Sequence, residues 1–139
     1  MNVQFISKIP EFQLDNPSVY RNVLKKCALK EERVIQRVIY NFVSDDEIVS
    51  VNHDFLDHNY ITDIITFDNS FLQTIEGEIF ICIPEVKRNA IKHSSGDFET
   101  ELKRIIIHGM LHLIGYMDGT LEEMKIMREK ESFYLQYFL

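Results

Sequence analysis

No segment of this chain is apolar over the roughly 18 residues that a membrane-spanning helix requires. No basic N-terminus leads into an apolar stretch, as a secretory signal would, so a soluble, cytoplasmic protein is expected. Cysteine is scarce. Only Cys27 and Cys82 are present, one in a segment with helical pattern and one in a segment with strand pattern, and both read as reduced core thiols. Positive charge is short as well, with 15 Lys and Arg against 22 Asp and Glu for a net charge of −7. Proteins that grip nucleic acid through its phosphates are usually basic in at least one patch, and no strong footprint of that kind is visible. Lys25, Lys26, Lys30, Arg33 and Arg37 could gather on one side, and Lys87, Arg88 and Lys92 form a second small group. Each also reads as a solvated helix face. Low-complexity tracts, repeats and linkers are missing. With 45% hydrophobic residues in 139, the chain suits one domain that buries a core without staples.

What is present is concentrated in one block, His108-Gly-Met-Leu-His-Leu-Ile-Gly-Tyr-Met-Asp118. Two histidines four apart lie one above the other on a helix face, so His108 and His112 can reach one ion at about 2.0–2.1 Å from each nitrogen. The helix is expected over Glu99 to Ile114, with Asp97 as N-cap, Glu99 and Glu101 suiting the dipole of the first turn, and Gly115 as the stop. Its apolar run from Ile105 to Ile114 makes it the central, buried helix. A turn after Gly115 could swing Asp118 back as third ligand, which leaves one position open for water. The bland reading of His108 and His112 is a pair of hydrogen-bonded core histidines. The spacing otherwise follows the extended zincin pattern, yet Gly109 stands where that pattern places its glutamate base. Glycine cannot take a proton and costs a helix about 1 kcal/mol against alanine, so a protease reading is weakened and a close approach of another chain segment or of a bulky substrate to the helix is expected.

Turn and cap signals give the organisation. Val3 to Ile9 reads as a strand, and Asn16 and Pro17, as N-cap and N1, start a helix to about Lys30. Val34 to Val43, rich in Val, Ile, Tyr and Phe, reads as a strand. Ser44 and Glu47 form a capping box opening a short helix toward Phe55. Ile61 to Phe67 and Glu78 to Ile83 read as strands joined by a loop through Asn69 and Gly77 and paired like a hairpin. Pro84 opens a helix to about Lys92, Ser94 to Gly96 breaks it, and Thr120 and Glu123 form a second capping box before a final amphipathic helix to Phe138. The order implies an α+β fold: a zincin-like single domain in which a small mixed β-sheet is surrounded by helices, with the metal site on the central buried helix.

The block from His108 resembles the signature of the YbeY endoribonucleases, or rRNA maturation factors, whose pattern reads His-Gly-x-Leu-His-Leu-x-Gly-Tyr-Asp-His. The match holds from His108 through Tyr116, after which Met117 and Asp118 replace the final Asp-His. Position by position the family's third ligand, that last histidine, falls on Asp118, and a carboxylate is a competent zinc ligand. In the rival alignment Asp118 is the family's aspartate displaced by one, and the third ligand is absent. Asn52 to Phe67 resembles a second family stretch through Thr62, Asp63, Thr66 and Phe67, and Gly77, Glu78 and Ile79 resemble its Gly-Asp-Ile. The arginine that the family is thought to use near its substrate is Leu56 here. Arg104, one turn before His108, is the candidate to replace it; otherwise it is an ordinary solvated or salt-bridged arginine.

The resemblance implies a single metal-dependent hydrolase domain over residues 1–139, holding one divalent ion, zinc by preference, with nickel, iron and manganese also compatible with the donors. It implies cleavage of single-stranded RNA in maturing the 3′ end of small-subunit ribosomal RNA and in ribosome quality control. The ribosomal subunit or its proteins are the implied partners, with neither DNA nor a membrane expected. Asp63 or Glu78 would serve as proton acceptor or as a partner orienting an imidazole; the alternative is a pair of loop-capping carboxylates. Tyr116 and Phe67 could stack on bases, Phe67 having the stronger core reading. His53, His58 and His93 read as surface residues. Two other classes stay open: a zincin-like peptidase with its base outside the helix, and a non-catalytic ribosome-assembly factor with a structural metal.

Overall fold

The computed structural model describes residues 2–93 and 96–139. Among the described residues, nine elements of regular helix or strand follow one another: β1 (Val3–Ser7), α1 (Pro17–Lys30), β2 (Val34–Val43), α2 (Asp45–Leu56), β3 (Ile64–Asp68), β4 (Thr74–Cys82), α3 (Ile83–His93), α4 (Phe98–Ile114) and α5 (Leu121–Leu135). A 3-10 turn, Gln136–Phe138, ends the chain. The four strands make one mixed sheet in the order β1-β2-β4-β3, with β1, β2 and β4 parallel and β3 antiparallel to β4. The parallel pair β1 and β2 needs a long crossover, which α1 supplies. The α+β architecture with a small mixed sheet and surrounding helices is therefore the one the sequence implied.

Alternation along β2 and β4 sorts the side chains onto two faces. Val38, Tyr40 and Phe42 pair with Gly77, Ile79 and Ile81 in register, and all but the glycine pack into the main core with residues of α1 and α4. Helix α4 is the central one, with Ile105, Ile106, Ile107, Met110, Leu111 and Leu113 all buried. The fully buried Tyr40 hydroxyl donates to the Ile106 carbonyl at 2.7 Å and ties the sheet to that helix. On the other face a smaller cluster of Val43, Ile48, Val51, Ile65 and Cys82 lies under α2. Both cysteines are buried and free.

Two glycines let α4 lie down on the sheet. A Cβ at Gly109 would stand 3.0 Å from Cδ1 of both Ile64 and Ile79, the close approach expected there. A Cβ at Gly77 would stand 2.6 Å from the Phe67 carbonyl oxygen and 2.8 Å from Leu113 Cδ2. Gly77 was expected in the loop before a strand from Glu78; it lies inside β4, which begins four residues earlier at Thr74. Backbone pairing of Thr74 with Val34 of β2, together with a tight turn in which Phe71 and Thr74 exchange backbone hydrogen bonds, sets that start.

Other boundaries follow local chemistry. Pro17 opens α1, although Asn16 adopts a left-handed conformation and makes no side-chain cap. At α2 only half of the expected capping box forms: Ser44 Oγ accepts the Glu47 N–H at 3.3 Å, while the Glu47 carboxylate turns to Lys8 at 3.2 Å. At α5 both halves form between Thr120 and Glu123. The third strand starts at Ile64 instead of Ile61, which leaves Thr62 and Asp63 in the connection ahead of it. Ser94 and Ser95, part of the expected break before α4, lie outside the described residues.

Candidate metal centre

Helix α4 ends where the site begins. Gly115, at φ 124°, takes a conformation open to glycine and stops the helix, its N–H bonding to the carbonyls of Leu111 and His112 at 3.1 Å. Arg33 covers the exposed end by donating to the Ile114 carbonyl at 3.3 Å. The chain then doubles back, and the Asp118 carboxylate oxygen comes to 3.3 Å from His108 Nε2 and 3.4 Å from His112 Nε2. The two Nε2 atoms are themselves 2.9 Å apart.

The hydrogens of both rings can be assigned from their other contacts. His112 Nδ1 faces the Tyr116 carbonyl at 3.0 Å, and a carbonyl only accepts, so Nδ1 carries a hydrogen, which in the neutral ring leaves Nε2 with a lone pair. His108 Nδ1 donates to Glu131 Oε2 at 2.6 Å. Burial pushes the Glu131 carboxyl up, but hydrogen bonds and charge from His108, Arg104 and Arg128 outweigh this and hold it below its ordinary range, so it is the ionised acceptor. With neutral rings, three acceptor atoms converge. One proton can bridge two of them; a divalent cation satisfies all three. The edges of a tetrahedral site with ligands at about 2.0–2.1 Å are about 3.3–3.4 Å, close to the spacings to Asp118. Burial, then the neighbouring His108, lowers the His112 pKa against the pull of Asp118, which favours the neutral ring that a metal requires. The donor set fits a divalent ion.

The supports of the site come from distant parts of the chain. Glu131 on α5 is 1% exposed and orients His108 as carboxylates commonly orient metal-binding imidazoles. Tyr116, whose carbonyl holds His112, donates its hydroxyl to Glu31 at the end of α1 at 2.7 Å. Glu31 also accepts from Tyr134 and, at 3.0 Å, from Lys130. Neither Glu31 nor Glu131 carried any spacing signal, because each meets its partner through helix packing.

The three candidate ligands line an open hollow of about 420 Å³ with Thr62, Asp63, Thr66, Glu101, Arg104, Arg128 and Glu131 among its walls. Asp63 accepts from Asn89 at 3.3 Å, and burial, opposed chiefly by His108, raises its pKa above the ordinary 3.8. Arg104 is in the hollow, salt-bridged to Glu131 at 3.0 Å. Glu78 is not brought there. It projects from the other face of β4, where Asn41 donates to it at 2.9 Å, and it borders a separate small hollow with Arg37 and Glu76. The strand's period of two puts it opposite Ile79, the side on which α4 packs. The basic groups are likewise elsewhere: Lys26 lies over Tyr137, Lys30 over Phe133, Lys87 over Phe98, and Arg88 pairs with Asp45 and Glu85. Phe67 is packed between Phe55 and Phe80, and His53 and His58 are exposed.

Comparison with known proteins adds an independent line. The sequence model of the family described as endoribonuclease YbeY matches residues 4–138. A protein of Cytophaga hutchinsonii named endoribonuclease YbeY is 46% identical over 130 residues, covering 92% of this chain and 90% of that one. One of the same name from Karelsulcia muelleri is 40% identical over 129 residues, covering 93% and 90%. The solution structure of a Thermotoga maritima protein superposes with a TM-score of 0.66 at 29% identity, over 98% of this chain and 88% of that one.

Proposed function

The chain belongs to the endoribonuclease YbeY family, and on that premise we propose that its metal pocket cleaves single-stranded RNA during ribosomal RNA processing. It is a hydrolase of RNA. The finer reading is zinc as the ion, maturation of the 3′ end of small-subunit ribosomal RNA and ribosome quality control as the tasks, the ribosomal subunit as the partner, and the cytoplasm as the place. The observation that carries the reading is the convergence of His108 Nε2, His112 Nε2 and Asp118 Oδ2 at 2.9, 3.3 and 3.4 Å, while Nδ1 of each ring faces an acceptor of its own.

His108, His112 and Asp118 would hold the ion. When bound, such an ion acts as a Lewis acid toward a phosphoryl oxygen and lowers the pKa of its water toward about 7. The residues around it have separate tasks. Asp63, half-buried in the wall of the hollow with its pKa raised by desolvation, accepts a proton from the attacking water. Arg104 offers positive charge to the phosphate. Glu131 fixes the His108 ring and so the direction of its lone pair. The peptidase and the non-catalytic assembly factor are not favoured, since the relatives bear the name of an endoribonuclease.

The deciding experiment is elemental analysis of the purified protein beside Asp118→Ala and His112→Ala, with cleavage of a single-stranded RNA assayed on the same samples. Near-stoichiometric zinc, lost in both variants together with cleavage, is expected. Metal kept in Asp118→Ala but lost in His112→Ala would remove Asp118 from the ligand set. Metal in none of the three would return both histidines to the core.

A further inference from the structure

The walls of the metal hollow carry four carboxylates, Asp63, Glu101, Asp118 and Glu131, in a chain of net charge −7. A phosphodiester entering such a site is repelled unless fixed positive charge meets it. The cationic side chains among the lining residues are Arg104 and Arg128. Both are aimed by the same atom: Glu131 Oε1 accepts from Arg104 Nη1 at 3.0 Å and from Arg128 Nη1 at 3.1 Å, while Oε2 accepts from His108. One buried carboxylate thus holds two guanidinium groups on one oxygen and a candidate ligand ring on the other.

The two arginines differ in reach. The Arg104 side chain, on α4, is 23% exposed, whereas that of Arg128, on α5, is 66% exposed at the rim. A guanidinium has five donors in a planar fork that suits phosphate oxygens, and the contact of Arg128 with Glu131 is made through Nη1. We propose that Arg128 is the residue that binds a phosphate of the RNA at the mouth of the pocket, with Arg104 as the fixed charge behind it. This rests on the reading of the hollow as a ribonuclease site.

The test uses the metal-loaded protein with Arg128→Ala and Arg128→Lys, and a short fluorescein-labelled single-stranded RNA. Binding is followed by anisotropy at several salt concentrations, cleavage by steady-state kinetics, and metal by elemental analysis. Arg128→Ala is expected to weaken binding roughly tenfold at low salt, to act on KM more than on kcat, and to flatten the log–log salt slope by about 0.7, the value of one single-strand phosphate contact. Arg128→Lys should restore the slope, which depends on charge, and only part of the affinity, which depends on the fork. Metal content should match the wild type in both. Unchanged binding, KM and salt slope in Arg128→Ala, beside a wild type that cleaves, would overturn the proposal. Loss of metal in that variant would overturn it too, making Arg128 a mere support for Glu131. A metal-loaded wild type that neither binds nor cleaves the RNA would instead sink the ribonuclease reading itself, and this inference with it.

Discussion

His108 Nδ1 and Glu131 Oε2 lie 2.6 Å apart although 23 residues separate them in the chain. The contact fixes which nitrogen of His108 faces the other ligands, and the second oxygen of the same carboxylate holds Arg104 and Arg128. Helix α5 therefore orients both the candidate metal site and the positive charge beside it.

Replacing Glu131 by Gln keeps the shape and removes the charge. A neutral amide can accept from His108 or from Arg104, but its NH₂ then confronts the other donor. Metal affinity should fall about 10–100-fold, as for other partners of metal-binding histidines. Competition with a fluorescent zinc chelator measures it; an affinity equal to that of the wild type would show that the contact does not orient the ring.

Asp63→Asn should leave metal content intact and lower kcat by about 10²–10⁴-fold, the usual worth of a positioned base. The base must be unprotonated to act, so wild-type activity falls as pH drops through a pKa that burial has raised above 3.8. The acid limb of the kcat profile should accordingly lie above that value and disappear in the variant. A variant with undiminished kcat would assign the proton to another group.

At Gly77 an alanine would push its methyl to 2.6 Å from the Phe67 carbonyl, a backbone atom that cannot swing aside. A loss of about 1–3 kcal/mol is expected in urea denaturation. Gly109→Ala should be milder. Its Cβ meets Ile64 Cδ1 and Ile79 Cδ1 at 3.0 Å, which are the ends of side chains, and the helix regains about 1 kcal/mol of propensity. Equal costs at the two positions would contradict this comparison.

Glu31 gives the acid side of the stability curve. Burial raises its pKa, but hydrogen bonds from Tyr134, Tyr116 and Lys130 outweigh that and bring it below the ordinary 4.5. A carboxyl whose folded pKa is the lower one binds fewer protons in the native state. Its stabilisation is thus fully present above the unfolded value and is lost as pH falls through the folded one. Glu31→Gln should lower the melting temperature at neutral pH and narrow its gap to the wild type in acid. A gap that does not change with pH would mean that the charge of Glu31 contributes nothing.

Much of this protein was legible in its sequence because the interactions concerned are local. Pro17 opening α1, the Thr120–Glu123 capping box, the run Val34–Val43 and the stop at Gly115 depend on residues within a turn or two. So does the stacking of His108 over His112 on one helix face, which needs only the helical repeat. The tertiary structure decided what those pieces meet. Period-two alternation says that Glu78 opposes Ile79, yet only the packing of α4 against Gly77 and Ile79 says which face carries the metal hollow, and it leaves Glu78 outside. Glu131 and Glu31 reach the site across helix interfaces, at separations where no periodicity or cap operates. Spacing along a chain reports contacts made by one element with itself; the groups that orient a metal ligand come from other elements, and only packing brings them there.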